Sequence, residues 1–176
     1  MNEQKISNIS NALESFITER QTLHLSTITP EGMPFASYAP YAVGEQCFYV
    51  LLSDLAKHSI NLEHHARGSV LLIADETEAK ELFALERVNY SVDAQMLEFG
   101  SDEWATGIDC LAERFGKRIH DLSSLSDFKL FKLSPTEGRY VRGFAKAYQL
   151  TGAGFFGEEL VHMRDGHGLS KRDAVA

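Results

Sequence analysis

Apolar side chains recur at helical spacing near the start of the chain, at Ile6, Ile9, Leu13, Phe16 and Ile17. That spacing puts them on one face of an amphipathic helix. It is expected to pack across a scaffold as a lid or to serve a dimer contact. From Arg20 to Tyr41 the period changes, and RQTLHLSTITPEGMPFASYAPY reads as a hairpin. Its turn is Pro30-Glu31-Gly32, where proline sets one φ and glycine frees another. Cys47 to Leu52 is short and continuously apolar, which suits a strand buried on both faces. Asp54 is placed to cap a short helix through His65, with Leu55, Ile60 and Leu62 as its apolar contacts. Val70 to Ala74 reads as another strand.

An acidic stretch follows, with eleven carboxylates and two bases between Asp75 and Glu113. Asp75 to Leu85 is expected as exposed loop or helical turn, and Val88 to Leu97 as strand. Ser101 reads as an N-cap, with Asp102 and Glu103 favouring a helix N-terminus. Trp104, Ile108, Leu111 and Phe115 share a face of that helix, and Gly116 stops it. Phe128 to Leu133 and Arg139 to Leu150 read as the last two strands, joined by a turn over residues 134–138. In the second of these, Tyr140, Arg142, Phe144, Lys146 and Tyr148 are expected on one face. About six short strands, two interrupting helices and no strand–helix alternation favour a small antiparallel barrel with helical attachments over a parallel sheet.

Composition narrows the function. The 176 residues are 44% hydrophobic, enough for one domain with a real core. A net charge of −8 leaves no basic field for nucleic acid. The charge is uneven: residues 1–138 carry 11 Lys+Arg against 21 Asp+Glu, whereas residues 139–176 carry 6 against 4. An anionic ligand therefore fits the C-terminal end best. Cys47 and Cys110 lack C-x-x-C spacing and read as structural thiols. The polar N-terminus and the absence of any run of ~20 apolar residues point to the cytoplasm, with no membrane partner.

Standard motifs exclude more than they assign. Gly152 to Gly157 matches G-x-G-x-x-G, but too little chain follows for a helix, a parallel strand and a ribose-binding acid. It reads instead as a flexible hinge. His58, His64 and His65 cluster without H-E-x-x-H, so no dedicated zinc site is expected. Nucleophile-elbow and Walker-type phosphate motifs do not occur. The chemistry is best placed at Arg164-Asp165-Gly166-His167-Gly168, where two glycines let a histidine bend toward a ligand. The same composition also suits a frayed tail.

The hairpin TLHLSTITPEGMPFASYAPY, SDLAKHSINLE from Ser53 and DETEAKELFALERV from Asp75 resemble the pyridoxamine 5′-phosphate oxidase-like split barrels. LAERFG from Leu111, LSDFKLFKLSPTEGRYVRGFAKAYQL from Leu125, and Gly166-His167 extend the likeness to the HugZ/HutZ-type haem-utilisation branch. The resemblance implies a mainly β protein with helices: a six-stranded antiparallel split β-barrel, homodimeric, with its ligand near the subunit interface. Residues 1–150 would form the barrel with its N-terminal helix. Residues 151–176 would form a C-terminal loop or tail of the same domain.

The same likeness implies haem as substrate and cofactor, with His167 as the axial iron ligand. The family's pocket arginine falls on Arg87, and its interface histidine and aspartate on His58 and Asp127. In these roles Asp127 accepts from the axial imidazole across the subunit boundary. Arg87 faces a propionate or the reacting oxygen, and His58 holds Asp127 or relays a proton. The implied reaction is oxidative opening of haem with iron release, a haem oxygenase chemistry fed by an external electron donor. A non-catalytic haem carrier is one alternative. An FMN-binding oxidoreductase is the other, with Ser53 and Lys57 near the flavin phosphate.

Overall fold

The computed structural model describes residues 3–79 and 81–163. The elements run α1 (Glu3–Glu19), β1 (Thr22–Ile28), β2 (Pro34–Pro40), β3 (Ala42–Val43), β4 (Phe48–Ser53), α2 (Lys57–His64) and β5 (Arg67–Ile73). Two 3₁₀ turns cross the acidic stretch, at Glu76–Glu78 and Leu82–Ala84. The chain continues through β6 (Arg87–Met96), α3 (Asp102–Phe115), α4 (Arg118–Ser123), β7 (Phe128–Val141), β8 (Ala147–Thr151) and β9 (Glu159–Met163). All nine strands join one antiparallel sheet, in the order β2-β1-β5-β6-β7-β4-β3, with β8 on β7 and β9 on β8. The sheet curls until β2 packs beside β4 without a ladder between them, which leaves the barrel split there.

Alternation fills the barrel. In β1, Leu23 and Leu25 are buried while Thr22, His24 and Ser26 are exposed. Val88, Tyr90 and Val92 of β6 and Tyr140 of β7 join them. Helix α1 adds Ile9, Leu13, Phe16 and Ile17 to the same core; each buried side chain of this size contributes roughly 1.5–3 kcal/mol. Arg114 of α3 donates to the carbonyls of Thr18 and Arg20, placing a cation against the orphan acceptors at the end of α1. A second cluster packs Ile108 and Leu111 of α3 and Ile119 of α4 against Tyr49 of β4 and Leu130 of β7. Ser101 caps α3 as expected, accepting from Trp104 N at 3.1 Å. No helix among the described residues is long and apolar enough to cross a membrane.

Four expectations fail for physical reasons. Residues 134–138 are not a turn, because β7 runs straight through them. Pro135 and Thr136 sit at a bulge opposite Ser91 and Val92, a place where a missing N–H is tolerated. Gly138 serves a close approach there, since a Cβ would lie 2.6 Å from the Tyr90 ring. The real turn is Arg142–Lys146, where Gly143 and Ala145 have φ of 144° and 57°, so Tyr140 through Tyr148 do not share one strand face. Nor is Gly152 to Gly157 a free hinge. Phe155 is buried, its carbonyl accepts from Tyr90 Oη at 2.8 Å, and its N–H donates to Gln46 Oε1 at 3.0 Å. Finally, α2 begins after Ala56 rather than on a cap from Asp54, and of its expected apolar contacts Leu62 is buried while Leu55 and Ile60 are exposed. Leu55 is 86% exposed, whereas Ser59 and Asn61 are buried and Asn61 Nδ2 donates to Thr27 Oγ1 at 2.8 Å.

Candidate functional site

Sheet register builds a row of outward-facing residues across four strands. Arg87 of β6 pairs with Val141 of β7, Val141 with Ala147 of β8, and Ala147 with Met163 of β9. These four line a cleft of about 280 Å³ together with Phe83, Arg139 and the turn residues Gly143, Phe144 and Ala145. The neighbouring row, Val88, Tyr140, Tyr148 and His162, faces the other way. Its rings contact one another, with Tyr140–Tyr148 centroids 6.4 Å apart and Tyr148–His162 5.2 Å apart. The cleft combines the apolar side chains of Val141, Phe144, Ala147 and Met163 with two guanidiniums. Arg87 Nη1 donates to the Leu85 carbonyl at 2.9 Å, and neither Arg87 nor Arg139 has a carboxylate partner among the described residues. Phe83 at the rim is 93% exposed.

His58 and Asp127 lie elsewhere, at the other end of β7. The Asp54 N–H donates to the Asp127 carbonyl at 2.7 Å, tying the approach to α2 to the start of β7. Lys129 reinforces the tie, with Nζ 3.0 Å from Asp54 and 2.7 Å from Glu63. His58 Nδ1 is 3.0 Å from Ser37 Oγ, and burial holds its imidazole pKa below the ordinary value. The Asp127 carboxylate has no hydrogen-bond or ion-pair partner among the described residues. Arg87 pairs opposite Val141, whereas Asp127 precedes Phe128. At ~3.3 Å per residue the contour of β7 between them is on the order of 45 Å. Coiling shortens that span but leaves Arg87 and Asp127 at opposite ends. One chain thus brings His58 and Asp127 to the same end and does not bring either to Arg87. His167 lies outside the described residues.

The cleft suits one edge of a flat apolar ring bearing carboxylates, because apolar walls cover the ring and planar guanidiniums pair with the carboxylates. Its volume falls just below the ~300–1,000 Å³ of complete ligand pockets, as expected of a partial wall. Haem has that chemistry and fits the residues present. Phe83, Arg139, Phe144 and Met163 were not singled out from sequence as site residues. Alternation placed Arg139 and Val141 on one strand face, but a strand read unbroken from Arg139 to Leu150 hid the turn that pairs Val141 with Ala147.

Residues 9–142 match the pyridoxamine 5′-phosphate oxidase family. The chain is also 42% identical over 155 residues to the heme oxygenase HutZ of Vibrio cholerae, an alignment covering 88% of this chain and 87% of that protein. The chain belongs to the HutZ branch of the pyridoxamine 5′-phosphate oxidase family. Within that branch, the solved HutZ structure of Vibrio cholerae, described there as a heme storage protein, superposes with a TM-score of 0.72 over 76% of this chain and 94% of that one. Campylobacter jejuni ChuZ, 24% identical, shares the fold with a TM-score of 0.75 over 89% of this chain and 68% of that one. A heme binding protein from Mycobacterium smegmatis, 26% identical, gives 0.65 over 80% and 56%.

Proposed function

We propose that this protein binds haem in a site shared by two copies of the chain and opens the ring oxidatively, releasing iron. The observation that carries the reading is 42% identity with a heme oxygenase over nearly the whole chain. The cleft beside Arg87 adds independent support.

Arg87 and Arg139 hold the propionates, and Phe83, Val141, Phe144 and Met163 keep water from the ring. His167 would hold the haem iron. Met163 lines the cleft, and the four residues from there to His167 span at most ~14 Å, a reach that covers a ligand seated in it. Asp127 comes from the second copy, because its own chain carries it to the far end of β7. There it would accept from the ring nitrogen of His167 that the iron leaves free, and would fix that ring's orientation. His58 of the same copy stands near Asp127 as a neutral proton acceptor. When bound, haem supplies the iron centre at which oxygen is activated. Electrons come from an external donor. The free thiols Cys47 and Cys110 suit a reducing compartment, in line with a cytoplasmic location.

The test is incubation of the haem complex with a reductant and oxygen, with catalase present. Loss of haem absorbance with release of iron is expected, and His167→Ala should lose haem binding altogether. Persistent haem absorbance would replace degradation with storage, the role named for the solved HutZ structure. A yellow protein with flavin absorbance and no haem uptake would replace both with an FMN-dependent reaction.

A further inference from the structure

Strand β2 places Ser37 on its inner side, between exposed Ala36 and Tyr38 and opposite Leu25 of β1. The Ser37 hydroxyl has two neighbours. One is the Leu25 carbonyl at 3.0 Å, and the other is His58 Nδ1 at 3.0 Å. A carbonyl only accepts, and a serine hydroxyl carries one proton. Given to Leu25, that proton leaves Ser37 Oγ as an acceptor toward the imidazole. His58 must then carry its own proton on Nδ1. Burial of the ring favours the neutral form, so Nε2 holds a lone pair. Among the described residues Nε2 has no hydrogen-bond partner.

We infer that Ser37 is a positioning residue that fixes His58 as the Nδ1–H tautomer and presents Nε2 as the proton acceptor of the site. The partner nitrogen's hydrogen bond sets which ring nitrogen is protonated, and here that bond is anchored to the barrel wall through Leu25. His58 sits on α2, which packs against β1. The anchor therefore fixes the ring to the barrel as well as choosing its tautomer. The use of this acceptor in haem turnover rests on the function proposed above; the tautomer itself does not.

Two-bond ¹H–¹⁵N spectra of the haem-free full-length protein read the tautomer directly. The wild type should show a protonated-type shift at His58 Nδ1 and an unprotonated-type shift at Nε2. Ser37→Thr keeps the hydroxyl and should keep that pattern. Ser37→Ala should lose it, with both nitrogens moving toward exchange-averaged shifts. A wild-type ring protonated on Nε2, or an unchanged pattern in Ser37→Ala, would overturn the assignment. In turnover assays Ser37→Ala should be at least about 10-fold slower at unchanged haem affinity, part of the ~10²–10⁴-fold that a positioned proton-transfer group contributes. Full turnover by a Ser37→Ala protein whose tautomer has been lost would remove His58 from the reaction and leave the Ser37 assignment standing.

Discussion

Two adjacent rows cross the same four strands and do opposite things. Val88, Tyr140, Tyr148 and His162 close on one another with aromatic rings, and the first three are buried. Arg87, Val141, Ala147 and Met163, one position away on each strand, leave a cleft. Backbone pairing is the same for both. The difference lies in which face the pleat gives each row and in the small side chain of Ala147 where the inner row has Tyr148. A packed wall and an open cleft are thus made from one ladder, and on the proposed function stability and binding should separate by row.

The largest expected effect breaks the inner row. Tyr140→Ala removes a fully buried ring and its hydrogen bond to Glu86, and should cost ~3–5 kcal/mol of stability in urea unfolding. Ala147→Trp fills the outer row instead. Haem affinity should fall ~100-fold in a spectral titration, while stability changes by less than about 1 kcal/mol, as is usual away from the core. A stability loss as large as that of Tyr140→Ala would mean the two rows are not independent.

The two ends of β7 supply a sharper test. Arg87→Ala and Asp127→Ala should each cripple turnover. In a symmetric dimer whose sites draw one residue from each copy, a mixed dimer of the two variants contains one intact site. Co-expression should therefore restore about a quarter of wild-type turnover, since half of the dimers are mixed and each has one site of two. No recovery in verified mixed dimers would return both residues to a single chain.

The smallest effect concerns His58. Its folded-state pKa is depressed by burial, so below the unfolded value of ~6.5 the unfolded chain binds the extra proton first. The contribution to stability is present above that pH and is lost as pH falls through the range. His58→Gln should flatten the acid-side slope of stability against pH measured by denaturant unfolding. An unchanged slope would mean that the ring titrates alike in both states.

Much of the fold was legible because local chemistry and tertiary role agreed. The α1 stripe from Ile9 to Ile17, the turn glycine Gly32 and the cap Ser101 read correctly from spacing alone. Errors came where one residue type serves two purposes. Gly138 looked like a turn residue, but its missing Cβ makes room for Tyr90. Ser59 and Asn61 were not among the contacts expected of α2, yet with Leu62 they form its inward face. At the site, residue types suggested Arg87, His58 and Asp127 through a family likeness. Only the strand register reveals that Arg87 stands at the far end of β7 from Asp127. Ser37 escaped notice because a strand serine carries no signal until its partner is seen.

The bulge at Pro135 and Thr136 has a consequence for how this site can be lost. Side chains alternate with a period of two, yet Thr136 and Glu137 both face outward, so the bulge holds one residue outside the alternation. Without Thr136, Glu137 would still pair with Ser91, Tyr140 would still face inward, and Arg139 and Val141 would keep the cleft face. Loss of one residue between the bulge and the cleft, such as Arg139, would instead put Val141 in the inward row unless the bulge gave up its spare residue. The cleft is encoded as a phase, and the bulge is the place where β7 can lose a residue and keep it.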